Sequence, residues 1–281
     1  MIMKEKKRRI SLAACSDPVL GKWEQEVYAL TDLLRGEGLD VVMNSSFFGS
    51  KILEGQEKAE MLMDLFLDPE MDFIFDVSGG DLSNSVLPYL DYDVIQSSKA
   101  MFCGYSDLST VINAIIAKTG RPAVNYQIRN VLYDHAGEQL QYVKNTILQN
   151  RISVADLNAV FLRGTSMEGK VLGGNIRCFL KLAGTPFWPD MKGNILLLEG
   201  NSSNLYKVMT ALEQYRGMGV FDQISGVLLG TFTKMEAINA SPQAEELVMK
   251  IVPEHVPVAV TRLIGHYTDA KAIVLGKTLR I

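Results

Sequence analysis

Residues 101–120, MFCGYSDLSTVINAIIAKTG, decide how the rest of the chain is read. Met101, Phe102 and Cys103 form a short apolar run, the mark of a buried strand. Gly104 interrupts it, Tyr105-Ser106-Asp107 follow, and Val111, Ala114, Ile115 and Lys118 carry a helical pattern to Gly120. A serine on such a tight strand-to-helix turn is exposed at the positive end of a helix dipole. Two roles fit that place. Ser106 either caps the helix, a position Ser and Asp favour, or is a nucleophile whose developing oxyanion the helix start would hold.

Upstream, residues 9–14 read as a strand ending at Ser16-Asp17-Pro18, and residues 23–34 as an amphipathic helix closed near Gly36 and Gly38. Residues 39–43 are a second strand, and residues 51–67 a helix with Leu53, Met61, Leu62, Leu65 and Phe66 on one face. A third strand, residues 73–77, runs into Ser78-Gly79-Gly80-Asp81. This alternation predicts a parallel sheet with helices on both faces and ligands at the carboxyl ends of its strands. The Gly79-Gly80 turn and Ser106 both fall on that edge. Gly79-Gly80 lacks the spacing and the lysine of a phosphate loop. It is either a turn needing positive φ or a bare backbone whose N–H faces a substrate.

Downstream, residues 86–92 read as an apolar segment and a helical turn, residues 123–124 as a last strand of this half, and residues 138–149 as a helix. The polar stretch 149–156 divides the chain into an expected domain at 1–150 and another at 151–281. The second half opens with loops through residue 170, a turn at 171–175 and a short helix at 176–182. Strands at 195–198, 224–229 and 256–260 alternate with helices at 205–215 and 244–252, and short strands at 272–275 and 278–281 close the chain.

The 281 residues are 47% hydrophobic and 21% charged, a globular composition long enough for one large or two ordinary domains. A net charge of −4 makes no electrostatic case for nucleic acid or an anionic membrane. Cys15, Cys103 and Cys178 contain no CxxC pair and read as reduced core thiols. Basic residues before Leu12-Ala13-Ala14-Cys15 imitate a lipoprotein cleavage box. Only residues 10–14 separate charge from cysteine, whereas a signal peptide needs roughly 7–15 apolar residues. The same residues suit a first strand. No apolar run reaches the roughly 18 residues of a membrane span, so a cytoplasmic chain is expected.

Two other residues share the setting of Ser106. Glu199 follows four aliphatic residues and precedes glycine, either as a strand-terminal charge or as a carboxylate presented at a strand's carboxyl end. His266 follows Gly265 in a loop after a strand, whereas His135 and His255 have no apolar run leading into them. If a base is needed near neutral pH, His266 is the best placed. Ser106, Glu199, His266 repeats the chain order of the α/β-hydrolases, although Leu108 stands where their GxSxG elbow has glycine.

Gly79-Gly80, Leu87-Pro88-Tyr89-Leu90-Asp91-Tyr92, Gly104-Tyr105-Ser106-Asp107, Gly173-Gly174-Asn175, Gly184-Thr185-Pro186, Leu197-Leu198-Glu199 and Gly265-His266 occur in this order. In these motifs the chain resembles, from residue 9 to 281, the LD-carboxypeptidase family of serine peptidases, which includes the microcin C resistance peptidases. The resemblance implies a Ser106–Glu199–His266 triad, with the backbone N–H groups of Asp107 and Gly80 as oxyanion hole. It implies a flavodoxin-like N-terminal domain, a smaller α/β C-terminal domain and a site between them. It further implies a homodimer with no metal and no cofactor. The expected reaction is release of terminal D-alanine from a murein tetrapeptide. The alternatives are a microcin-type amidase acting on peptidyl- or aminoacyl-nucleotides and, from another class, a non-catalytic peptide-binding protein on the same scaffold. Three departures bear on substrate choice: Ser78 before the Gly-Gly turn, Tyr126-Gln127 near the family's Gly-Pro, and Leu263-Ile264 before Gly265-His266. Trp188 reads as a packed aromatic rather than a base-stacking one.

Overall fold

The structure, a computed structural model, describes residues 7–44, 47, 53–153, 157–202 and 204–281. Its first part alternates β1 (Arg9–Ala13), α1 (Lys22–Gly36), β2 (Asp40–Met43), α2 (Gly55–Leu67), β3 (Met71–Asp76), α3 (Tyr92–Ser97), β4 (Met101–Gly104), α4 (Ser109–Thr119), β5 (Ala123–Asn125) and α5 (Ala136–Tyr142). β1 to β5 pair in parallel in the order β2-β1-β3-β4-β5. That is the flavodoxin-like order, with its switch point between β1 and β3. Phe73, Phe75 and Phe102 fill the core beside the sheet.

The second part contains β6 (Val160–Arg163), β7 (Glu168–Asn175), α6 (Ile176–Phe179), β8 (Ile195–Gly200), α7 (Leu205–Gly217), β9 (Gly226–Phe232), α8 (Thr233–Ala237), α9 (Ala244–Ile251) and β10 (Val258–Val260). β7 to β10 run parallel, and β6 lies antiparallel at the β10 edge. Every residue of β8 and β9 is buried, as strands covered on both faces must be. The chain then returns: β11 (Ile273–Leu275) adds antiparallel to β5 in the first sheet, and β12 (Thr278–Arg280) to β7 in the second. Among the described residues, no helix is long and apolar enough to cross a membrane.

Most expected elements are present, and the differences have local causes. The helix expected at 51–67 starts at Gly55, where Glu54 and Glu57 form a capping box; residues 51 and 52 lie outside the described residues. The helix expected at 138–149 is α5, which widens after Tyr142 into a π turn over Val143–Ile147. β6 is missing from the sequence reading because a four-residue, half-exposed edge strand leaves little pattern.

The turn expected at 171–175 is instead the buried half of β7, with Gly173 and Gly174 paired to Leu197 and Leu198. The glycines serve close approach rather than chain reversal. Asn113 on α4 donates through Nδ2 to the Gly173 carbonyl at 2.7 Å and accepts the Gly173 N–H at 2.9 Å. Ser109 Oγ accepts the Asn175 N–H at 2.9 Å. A Cβ on Gly174, whose φ is 124°, would sit 2.5 Å from Ser109 Oγ.

A buried ion pair forms a second joint. Asp107, in the turn before α4, is fully buried, and its Oδ1 accepts from Lys181 Nζ at 2.5 Å, just beyond α6. Its Oδ2 accepts the Ser16 hydroxyl at 2.6 Å and the Ser83 N–H at 2.9 Å. Burial alone would raise this carboxyl, but the bonds from Lys181, Ser16 and Ser83 outweigh it and hold it below the usual carboxylate range.

Gly174→Ala combines a disfavoured φ with a clash, and should cost about 1–3 kcal/mol. An unchanged urea midpoint would contradict the close-approach account. Because the folded-state pKa of Asp107 is depressed, its stabilisation is complete above the unfolded value and is lost as pH falls through the folded one. Asp107→Asn should therefore be less stable than wild type by on the order of 2 kcal/mol at neutral pH. The gap should narrow only below about pH 4. A gap that closes between pH 7 and 5 in urea titrations would exclude this carboxylate as its source.

Candidate active site

β4 ends at Gly104, Tyr105 is fully extended, and Ser106 then takes φ 57° at the start of a one-turn 3-10 helix, Ser106–Leu108. A left-handed conformation at a non-glycine residue costs on the order of 1–3 kcal/mol and persists only where its surroundings impose it. An N-cap residue has extended dihedrals instead. The residue in the N-cap place here is Tyr105, and α4 likewise begins without a side-chain cap. Of the two roles open to Ser106, capping is the one the backbone excludes.

Glu199 stands at the end of β8 with its side chain almost wholly buried. Its Oε2 lies 2.5 Å from His266 Nδ1. With Glu199 ionised, that contact fixes the imidazole as the Nδ1–H tautomer and leaves Nε2 as the basic nitrogen. His266 Nε2 has no hydrogen-bond partner, and neither does Glu199 Oε1. The loop bearing His266 is pinned to β9 where the Thr231 N–H donates to the Ile264 carbonyl at 2.8 Å. The Tyr105 ring covers the imidazole at 4.2 Å between centroids. Burial pushes the Tyr105 phenol well above its ordinary range, and the nearby Glu199 charge adds to the shift.

The Gly79-Gly80 turn lies beyond β3, at the switch point. The Asp17 N–H donates to the Gly79 carbonyl at 3.2 Å, and Asp17 Oδ1 accepts the N–H groups of Asp81 and Leu82 at 2.9 and 3.2 Å. Gly80 has φ 124°, and a Cβ there would run into the Asp17 carboxylate. Beneath the turn, Ser78 Oγ donates to Asp76 Oδ1 at 2.5 Å and accepts the Ser16 N–H at 3.0 Å. Lys58, also buried, donates to the Ser16 carbonyl at 2.5 Å.

Gly80, Ser106 and His266 line one cavity of about 280 Å³, with Trp23, Arg129 and Arg177 also in its walls. Glu199 stands behind the imidazole, and the Asp107 N–H belongs to the helix start after Ser106. The five residues singled out in the sequence thus gather at one place. His266 Nε2 is not bonded to Ser106 Oγ, a contact that in resting enzymes often tightens only with substrate. His135 is half-exposed and pairs with Glu138. All three cysteines are free and buried, and Trp188 stacks on Phe179 at 4.5 Å.

Arg129, Trp23, Arg177 and Lys181 escaped the sequence reading. Arg177 and Lys181 are four apart, which places both on one helical face, and both reach Asp81. Arg129 carries no such signal. Among the described residues, no three His, Cys, Asp or Glu side chains converge as a metal site requires.

Comparison with known proteins identifies the family. Residues 10–126 match the LD-carboxypeptidase N-terminal domain and residues 168–281 the LD-carboxypeptidase C-terminal domain. The chain is 25% identical over 230 residues to the microcin C7 self-immunity protein MccF of Escherichia coli, spanning 70% of this chain and 67% of that one. A solved structure of MccF in complex with aspartyl sulfamoyl adenosine superposes with TM-score 0.86 at 19% identity, covering 99% of this chain and 94% of the other. The muramoyltetrapeptide carboxypeptidase of Oxalobacter formigenes does so with TM-score 0.77 at 18% identity, covering 97% and 94%. Two matched domains in the family's order, on the two-domain fold these structures share, mean that this chain belongs to the LD-carboxypeptidase family.

Proposed function

We propose that this protein is a cytoplasmic serine peptidase that removes the terminal D-alanine from a murein tetrapeptide. The observation that carries the reading is the Glu199–His266 contact, whose imidazole lines the same cavity as the strained Ser106. In this reading Ser106 Oγ attacks the carbonyl of the L,D bond while His266 Nε2 takes its proton. Glu199 holds the Nδ1–H and stabilises the imidazolium. The N–H groups of Asp107 and Gly80 receive the oxyanion, on a turn that Asp17 braces. The C–N bond then breaks, and His266 returns the proton to the leaving amine. Water activated by the same nitrogen hydrolyses the acyl-enzyme. A scaffold used only for binding would have no need of a paired imidazole beside a left-handed serine.

A second reading rests on the MccF relationship: an amidase acting on peptidyl- or aminoacyl-nucleotides, with the same residues in the same roles. Parallel turnover of an L,D-tetrapeptide and a peptidyl-sulfamoyl adenosine separates the two, and D-alanine release from the first alone is the expected result. Release of the nucleoside alone would favour the amidase. A fluorophosphonate probe should label wild type and spare Ser106→Ala; equal labelling of both would remove Ser106 from the mechanism. His266→Ala should lose about three or more orders of magnitude in kcat. Turnover near the wild-type level in that variant would disprove the base assignment.

A further inference from the structure

Arg129 lines the cavity beside Ser106 and His266, yet the residue is only 6% exposed. It follows β5 in a short 3-10 segment, Ile128–Leu132, on the sheet edge that also bears Ser106. Nε and NH1 are buried without hydrogen-bond partners. The carboxylate of Glu26 is 3.7 Å from NH1, beyond hydrogen-bond reach, and accepts the Tyr133 hydroxyl at 2.8 Å instead. Trp23 lies against the guanidinium, with Cζ 4.0 Å from its ring. The charge is thus held in place while its donors stay unused.

Buried N–H groups of a cation are costly to leave unmade, by more than those of a neutral group. The other cation in the cavity wall is already engaged: Arg177 donates to Asp81 Oδ1 at 2.8 Å. Lys181, behind the wall, is bound to Asp107. Arg129 is therefore the cavity-wall cation with hydrogen-bond donors still open, its charge facing Glu26 only at 3.7 Å, and a planar guanidinium suits a carboxylate. In a peptide cut one residue from its end, the α-carbon bonded to the scissile nitrogen also carries the terminal carboxylate, so that carboxylate lies within one residue of the bond that breaks.

We propose that Arg129 binds the free C-terminal carboxylate of the substrate and so restricts the site to removal of a single terminal residue. This rests on the carboxypeptidase reading above and adds to it the residue that would impose exopeptidase specificity. Arg129 sits just past Tyr126-Gln127, where the sequence departs from the family's Gly-Pro.

The test compares kcat/KM on an L,D-tetrapeptide and on its C-terminal carboxamide, for wild type, Arg129→Gln and Arg129→Lys. Wild type should prefer the free acid by about 30-fold or more, mainly through KM. Arg129→Gln should bring that ratio close to one, and Arg129→Lys should restore part of it. A residue that only supports the fold would lower both substrates together. An acid-to-amide ratio unchanged in Arg129→Gln overturns the assignment while leaving the peptidase reading intact. Wild type that fluorophosphonate labels at Ser106, but that cleaves neither peptide, overturns the carboxypeptidase reading and this proposal with it. Circular dichroism and a cooperative melt check folding; if Arg129→Gln does not fold, the ratio is read from Arg129→Lys, where an unchanged value is again fatal.

Discussion

The site depends on the contact where the Asn113 and Ser109 side chains of α4 reach the bare backbone of β7 at Gly173 and Gly174. Asn113 reads the Gly173 peptide through both its donor and its acceptor, much as a neighbouring strand would. α4 begins just past the Ser106 turn, and β7 pairs with β8 so that Asn175 lies opposite Glu199. The serine from the first sheet and the carboxylate from the second are thereby set by one interface. Buried amide hydrogen bonds are directional and costly to leave unpaired, so this joint resists sliding more than an apolar contact would. The Asp107–Lys181 pair ties the same two parts together beside the site.

Around that joint, each candidate group comes from the end of a different strand: Gly80 after β3, Ser106 after β4, Glu199 on β8 and His266 beyond β10. Strand ends are rigid at one side and free at the other, which suits groups needing fixed positions and access to a ligand. Ser78 also lines the cavity. Asp76, Ser78, Ser16 and Lys58 bond one another and the backbone, and so hold the loops after β1 and β3 together. Burial raises the Asp76 carboxyl, partly offset by the bonds it accepts from Ser78 and Cys15.

Much of this was legible from pattern alone. β8 and β4 declare themselves as short unbroken apolar runs, and Ser106 by its place between such a run and a helix. Glu199 and His266 could be named as candidates and linked by chain order, but their contact spans 67 residues and belongs to tertiary structure. Gly173-Gly174 was misjudged because a glycine pair looks the same whether it frees the backbone to turn or clears space for a neighbour. Arg129 was invisible for a different reason. What distinguishes it is not its type but its unmade hydrogen bonds, and those depend on Trp23 and Glu26, more than a hundred positions away.

The return of the chain at β11 has a consequence for how the molecule comes apart. His266 lies on the segment between β10, in the second sheet, and β11, in the first. That segment is a strap anchored at both ends, so one sheet cannot swing from the other without pulling on the loop that carries His266. A fragment cut near residue 150 would lack β11 and bare the edge of β5, an invitation to pair with other chains. The topology thus favours the two sheets melting together as one cooperative unit, with His266 on the thread that joins them.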